Sequence, residues 1–135
     1  MPTERETADI EELGEWLSPQ DPLSDGDRRA GEALLSALAP ITGLRDRPIP
    51  LAFVVVFISV ALNEGKPVKD YAKELNITRF ATFKYLQSLG DRGRHSAPGL
   101  GLVTLKRGYR VKTAVVLTDK GRAIAAEVFR RLRKR

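Results

Sequence analysis

Residues 67–89 carry the pattern that most restricts the fold, because they contain two short helical segments separated by a brief turn. The apolar positions of the first segment follow one helix face: Val68, Tyr71, Ala72 and Leu75. This i, i+3, i+4, i+7 spacing predicts a helix from Pro67 to Leu75. Asn76-Ile77 predicts a tight turn, after which Thr78 is placed to cap a second helix that reaches about Leu89. Two short helices joined in this way form a helix-turn-helix.

The second of these helices separates into two faces when its residues are placed at 100° intervals. The face predicted to pack on the core contains Ala81, Thr82, Tyr85, Leu86 and Leu89. The opposite face, called here the outer face, contains Arg79, Phe80, Phe83, Lys84 and Gln87. Clustered aromatic side chains on an exposed face are typical of a contact surface. The alternative is that Phe80, or less readily Phe83, packs back against the segment that follows.

A β-hairpin is predicted directly after the helix-turn-helix. Residues 90–100 form a glycine-rich basic loop, and two strands rich in Val, Thr and Leu follow at 101–106 and 110–118. Cations cluster near the predicted tip, at Lys106, Arg107 and Arg110. A basic hairpin after a recognition helix is a wing, and arginine at its tip suits the negative potential of a narrow minor groove. Arg107 is the first candidate for insertion and Arg110 the second.

Three further helices are predicted around this unit. The first is capped by Asp25 and runs to about Ala39, where Pro40 stops it. The second, Leu51 to Asn63, is apolar nearly all round and is therefore central to the core. The last begins after Thr118, its predicted N-cap, and extends to about 133. Helices 28–39 and 119–133 carry the apolar stripes that we assign to dimerisation: Leu34, Leu35, Leu38, Ile124, Val128, Phe129 and Leu132.

The charge distribution indicates an anionic partner. Residues 1–27 carry nine acidic side chains against Arg5 alone, which predicts an acidic, flexible arm. The remaining residues carry 22 Lys or Arg against eight Asp or Glu, a surplus of 14. Such a surplus favours nucleic acid first and an anionic membrane second, with a merely solvated surface as the alternative.

Several classes of function are disfavoured by composition. The chain has no cysteine and a single histidine, so thiol chemistry is excluded and a structural zinc site has almost no donors. His95 lies in the basic loop without an orienting partner, and no phosphate-binding glycine motif opens a helix, so we predict neither catalysis nor a cofactor. The longest apolar stretch, 49–62, is too short to span a bilayer, and residues 1–16, which are acidic and lack an apolar run, do not predict a signal sequence. We expect a cytoplasmic, nucleoid-associated protein.

Several segments together resemble the MarR family of bacterial regulators. They are Tyr71-Ala-Lys-Glu-Leu75, Ile77-Thr-Arg79, Leu86, Leu89, Gly101-Leu-Val103 and Leu117-Thr-Asp-Lys-Gly121. The resemblance covers about residues 30–135. It implies a homodimer with two recognition helices in successive major grooves, and many members of the family also bind small aromatic effectors. The wing departs from the family because no aspartate accompanies Arg107, and Phe80 and Phe83 stand where small polar residues are common.

These observations predict a mainly α protein with a small β-hairpin wing, a winged helix-turn-helix with N- and C-terminal dimerisation helices. Residues 28–135 would form a single domain, with the helix-turn-helix at 67–89 and the wing at 101–118. The predicted function is sequence-specific duplex DNA binding by a homodimeric transcriptional regulator. Its predicted DNA-binding residues are Thr78, Arg79, Phe80, Phe83, Lys84, Gln87, Lys106, Arg107 and Arg110. A winged-helix protein-interaction module and a non-specific architectural DNA binder are the alternatives.

Overall fold

The computed structural model describes residues 22–91, 98–107 and 113–134. The described elements follow in chain order: α1 (Asp25–Thr42), α2 (Leu51–Leu62), α3 (Val68–Leu75), α4 (Arg79–Leu89), β1 (Val103–Lys106), β2 (Ala114–Leu117) and α5 (Asp119–Arg133). The predicted fold class, mainly helical with one antiparallel hairpin after a helix-turn-helix, is confirmed. The chain divides into two compact units, Met1–Glu32 and Ala33–Arg135, and the second contains the complete helix-turn-helix and both strands.

In the first unit, residues 22–32 contain the start of α1, which is capped by Ser24. The Ser24 hydroxyl accepts a hydrogen bond from the Asp27 N–H at 3.0 Å, and the Ser24 N–H donates to Asp27 Oδ2, also at 3.0 Å. This reciprocal arrangement is a capping box. The predicted cap at Asp25 is therefore wrong by one residue, because the hydroxyl of Ser24 is the group that reaches the free N–H of Asp27.

The predicted end of the first helix at Pro40 is also wrong, since α1 continues to Thr42. Proline has no N–H, so the carbonyl of Ser36, four residues earlier, lacks its partner within the helix. The guanidinium of Arg131 occupies that acceptor, with Nη1 donating to Ser36 O at 2.9 Å. Burial of Ile41, which is 2% exposed, holds the turn beyond the proline against the core.

Helix α2 lies at the centre of the second unit and contacts α3, α4, α5 and β2. Its buried face contributes Val56, Phe57 and Val60, which confirms the predicted central position. The opposite face is less covered, because Leu51, Val55 and Leu62 are exposed. The remaining core side chains come from every other element of the unit and from the segment before β1: Ala37, Ile41, Tyr71, Leu86, Leu89, Leu100, Leu102, Val103, Val115, Leu117, Ala125 and Val128.

The hairpin is hydrogen-bonded to the helix-turn-helix as well as within itself. In β1 and β2, Val103 pairs with Leu117 and Lys106 pairs with Ala114. The segment before α3 adds a bridge to β2, because Val115 N donates to Lys66 O at 2.9 Å. The strands are shorter than predicted, but the backbone of the helix-turn-helix and that of the wing form one continuous hydrogen-bonded unit.

Helix α5 begins in close contact with the chain that enters β1. Thr118 caps α5 as predicted, because its hydroxyl accepts from Gly121 N at 3.0 Å; the same hydroxyl donates to Gly101 O at 2.6 Å. A Cβ at Gly121 would lie 1.9 Å from Leu102 O, so only glycine fits there. The start of α5 is thus fixed directly against the base of the wing.

Candidate nucleic-acid interface

The turn between α3 and α4 sets the direction of the second helix. Asn76 adopts the left-handed conformation (φ 55°), and Ile77 N donates to Ala72 O at 3.0 Å, which closes α3. Thr78 then caps α4, since its hydroxyl accepts from Ala81 N at 3.0 Å, as the sequence predicts. Arg79 consequently occupies the first helical position, at the end of α4 where free N–H groups face outward.

The rotation of α4 about its axis is fixed by its core face. Thr82 is fully buried, and its hydroxyl donates to Thr78 O at 2.8 Å, so burial leaves no polar atom unpaired there. Leu86 and Leu89 are buried, and the Tyr85 ring packs against Phe53 with centroids 5.7 Å apart. These contacts leave the opposite side of α4 exposed.

All five side chains of the outer face are exposed: Arg79, Phe80, Phe83, Lys84 and Gln87. Phe80 is 70% exposed and does not pack back against the wing. The Lys84 ammonium lies 4.7 Å from the centroid of its ring, a cation–π contact between neighbouring turns. Phe83 is less exposed, at 42%, and lines a surface groove together with residues of the hairpin.

A shallow groove separates α4 from β1. The α4 side is lined by Phe83, Leu86, Gln87, Gly90 and Asp91, and the β1 side by Val103, Thr104 and Leu105. Part of the outer face of α4 and the exposed edge of the first wing strand therefore belong to one surface. Sequence periodicity identified the outer face, but the groove was missed because it depends on how a strand packs beside a helix.

The basic side chains of the wing follow directly from this strand. Lys106, the last residue of β1, and Arg107 are both exposed. Arg110, the second predicted wing-tip cation, lies outside the described residues. The surface that the structure describes therefore extends from Arg79 on α4, across the groove, to Arg107.

Backbone hydrogen bonds hold the wing against the end of α4. Leu100 N donates to Ser88 O at 2.9 Å, Gly101 N to Gly90 O at 2.9 Å, and Leu102 N to Leu89 O at 2.7 Å. The long loop after α4 is thus closed at its base. These hydrogen bonds hold the start of the hairpin against the C-terminal end of α4.

A charged pair fixes the second strand at the base of the hairpin. Glu64 Oε1 accepts from Leu117 N at 2.8 Å, and both carboxylate oxygens accept from the Arg122 guanidinium at 3.0 Å. These bonds, first from Arg122 and then from the Leu117 N–H, lower the pKa of Glu64 from its ordinary value. This pair could not be predicted from the sequence, because 58 residues separate its members and no local pattern links them.

The residues assigned to dimerisation differ in their exposure within one chain. Leu34, Leu35 and Leu132 are 52%, 74% and 43% exposed. Leu38, Ile124 and Phe129 are partly buried against the core. Val128 is 2% exposed, which places it in the core of the single chain. Three large leucine side chains at the two flanking helices thus remain uncovered.

Two kinds of site are absent from the described residues. Within 22–91, 98–107 and 113–134, no group of three or more His, Cys, Asp or Glu side chains is arranged to hold a metal ion. None of the helices in these ranges has both the length and the apolar character needed to cross a membrane.

Comparisons with known proteins place the fold. No protein-family model matches the chain, and no curated protein matches it either. Solved structures do match. One is AbfR in its disulfide form, with a TM-score of 0.54 and 16% identity over 81% of this chain and 66% of that one. The chain thus spans just under two thirds of the AbfR chain.

Two other solved structures are similar to about the same degree. A MarR family protein from Bacillus stearothermophilus matches with a TM-score of 0.54 and 19% identity, over 98% of this chain and 79% of that one. The transcriptional repressor CouR, solved bound to a 23-mer DNA duplex, matches with a TM-score of 0.52 and 23% identity, over 83% and 75%. The fold is therefore a MarR-like winged helix-turn-helix.

Proposed function

We propose that the protein binds duplex DNA in a sequence-specific manner as a homodimeric transcriptional regulator. The observation that carries the proposal is the single surface formed by the outer face of α4 and the first wing strand. Cations stand at both ends of that surface, Arg79 and Lys84 on the helix and Lys106 and Arg107 on the wing. A convex helix beside a basic hairpin fits the shape and the charge of a DNA duplex.

In this proposal α4 enters the major groove. Helix-turn-helix proteins contact base edges with the first residues of the recognition helix, which is the position of Arg79. The arginine side chain can pair with both acceptors of guanine, and Gln87, two turns later, has the amide that pairs with adenine. Lys84 and the N-terminal end of α4 at Thr78 are assigned to phosphates, which bind readily at helix N-termini.

The wing is assigned to the neighbouring minor groove. Arg107 continues from β1 into the hairpin tip, with Lys106 beside it and Arg110 three residues further along the chain. Minor-groove contacts by arginine respond mainly to groove width and to A·T against G·C, so they add affinity with little base identity.

The homodimer is supported by the uncovered side chains of the flanking helices. Apolar surface is exposed to solvent on α1 and α5, at Leu34, Leu35 and Leu132. A twofold-related copy would bury this area and would place two α4 helices on one side of the duplex. CouR, which shares the fold, is a transcriptional repressor solved on duplex DNA. The aromatic effector that the family resemblance implies stays a prediction.

Selection of bound sites from a random duplex pool tests the proposed roles. Arg79→Ala should reduce affinity by about 1–3 kcal/mol and relax the base choice at one position per half-site. Arg107→Ala should weaken binding while leaving the major-groove motif intact. Arg47→Ala, which removes the same charge from the connection between α1 and α2, is the matched control and should change neither property. An unaltered motif for Arg79→Ala would remove the claim that this residue reads a base.

A protein-interaction module is the second candidate, and the exposed rings of Phe80 and Phe83 are the observation that favours it. Large aromatic side chains in the middle of a surface are typical anchors of protein interfaces. Such a module has no need of duplex DNA, so the two candidates differ in whether salt-sensitive binding to DNA occurs at all.

A further inference from the structure

Two aromatic rings stand in the most polar face of α4. Phe80 and Phe83 are 70% and 42% exposed, and Arg79, Lys84 and Gln87 surround them. Burying a phenylalanine side chain is favourable, so two uncovered rings indicate a surface that a partner covers. The partner must therefore offer apolar groups as well as negative charge.

The two rings lie on the same stripe of α4 as polar side chains that can contact bases. Phe80, Phe83, Lys84 and Gln87 occupy positions i, i+3, i+4 and i+7, which lie on the same stripe of a helix. The contact between Lys84 Nζ and the Phe80 ring, at 4.7 Å, holds this ring beside a charge that faces outward. Phe83 borders the groove to β1, where Leu105 continues the apolar surface and is also 42% exposed.

The major groove offers one apolar group to such a stripe. Base edges there present hydrogen-bond donors and acceptors, and the C5 methyl group of thymine is the exception. Phenylalanine packs well on this methyl group, and an amide such as that of Gln87 pairs with adenine. We propose that Phe80 and Phe83 read thymine through its C5 methyl group, so that the preferred half-site contains A·T pairs beneath the stripe.

This inference rests on the proposed function and deepens it by naming the base. Charge complementarity favours DNA over a protein as the occupant, because Arg79 and Lys84 flank the rings on α4 and Lys106 and Arg107 follow across the groove. If the two rings instead anchored a protein partner, the affinity for DNA would not depend on the methyl groups of thymine. The test therefore compares duplexes that differ in those groups alone.

The experiment measures the dissociation constants of wild-type protein for two duplexes of one selected sequence. One duplex contains thymine in the half-sites, and the other contains deoxyuracil, which lacks the methyl group and keeps the same hydrogen-bonding edge. We expect the uracil duplex to bind more weakly, by roughly four-fold for each contacted thymine. In Phe80→Ala and in Phe83→Ala the preference for thymine should shrink, because each variant removes one of the two rings that contact the methyl groups.

Arg79→Ala is the matched control, because it should weaken binding to both duplexes and keep the ratio of their dissociation constants. Phe80 is largely exposed, so Phe80→Ala keeps the fold, and circular dichroism verifies this. Equal binding of both duplexes by the wild type overturns the inference and leaves the proposed function intact. An undiminished thymine preference in both phenylalanine variants overturns it as well. A wild-type protein that selects no duplex overturns the proposed function, and this inference with it.

Discussion

The guanidinium of Arg131 donates a hydrogen bond of 2.9 Å to the carbonyl oxygen of Ser36 and so joins α5 to α1. That oxygen is free because Pro40, four residues later, has no N–H to offer it. Arg131 is positioned by Glu127, whose Oε1 accepts from Arg131 Nε at 2.8 Å. Hydrogen bonds from Arg130 and then Arg131 lower the pKa of Glu127 to about 2.

The Arg131 guanidinium thus takes the place of the backbone N–H that Pro40 lacks, and a double-mutant cycle should detect the coupling between these two residues. Arg131→Ala should lower the free energy of unfolding by about 1 kcal/mol, the net value of a typical intramolecular hydrogen bond, because water replaces the guanidinium at the exposed Ser36 carbonyl. In the Pro40→Ala background, the N–H group of the new alanine can donate to the Ser36 carbonyl. The loss of unfolding free energy caused by Arg131→Ala should then be smaller by roughly 1 kcal/mol. Urea denaturation measures all four proteins.

Arg130→Ala provides the control, since Arg130 contacts Glu127 without reaching α1. Its cost should be the same with either residue at position 40. Equal costs of Arg131→Ala in the two backgrounds would show that the proline and the arginine are not coupled.

The helix-turn-helix could be predicted because its signals are local. The apolar spacing in α3, the caps at Thr78 and Thr118 and the two faces of α4 all depend on residues within two turns of each other. The end of α1 could not be predicted in this way. Continuation past Pro40 depends on Arg131, which is 95 residues from Ser36 in the chain.

The candidate site shows the same division between local and distant signals. Periodicity placed Phe83 on the outer face, but its position beside Leu105 depends on the packing of β1 against α4. The ion pair between Glu64 and Arg122 could not be predicted for the same reason. Residue types and spacing thus identify which side chains face outward, whereas tertiary packing decides which of them share a surface.

Gly121→Ala should abolish cooperative folding or lower the free energy of unfolding by about 4 kcal/mol or more. The added Cβ would lie 1.9 Å from Leu102 O, and the backbone of Leu102 is held at the base of the wing. Thermal denaturation followed by circular dichroism measures the effect.

Gly31→Ala is the same substitution at a position where the added Cβ meets nothing within 4 Å. Because Gly31 lies inside α1, alanine there should raise stability by about 0.5–1 kcal/mol. A folded Gly121→Ala protein with a stability close to that of the wild type would show that α5 can move away from β1 at little cost.

The wild-type protein should sediment as a dimer at micromolar concentration. The pair of substitutions Leu35→Glu and Leu132→Glu should give a folded monomer, because both side chains are exposed in the single chain. Val128→Asp should instead unfold the chain, since Val128 is 2% exposed. Ala126→Glu, at an exposed position of α5, should leave the dimer intact. A monomeric wild type would contradict the proposed assembly.

Removing residues 1–21 should strengthen non-specific DNA binding at low salt. This segment carries seven acidic side chains against Arg5, so its deletion removes a net charge of −6 from each chain. Truncation at 21 keeps Ser24, the cap of α1. A full-length variant with the same acids replaced by their amides separates charge from length and should behave like the deletion. Unchanged affinity in both proteins would show that the acidic segment does not affect DNA binding.

The dependence of duplex DNA affinity on salt tests the central claim most directly. A dimer that neutralises about six to ten phosphates should lose roughly 10³ to 10⁵ in affinity when salt rises from about 50 to 200 mM. Lys84→Ala, which removes a proposed phosphate contact, should make the dependence shallower, by a slope of about 1 for each phosphate that is no longer neutralised. Affinity that falls this steeply supports a protein that holds DNA through the surface between Arg79 and Arg107. Binding that is absent, or that does not respond to salt, contradicts it.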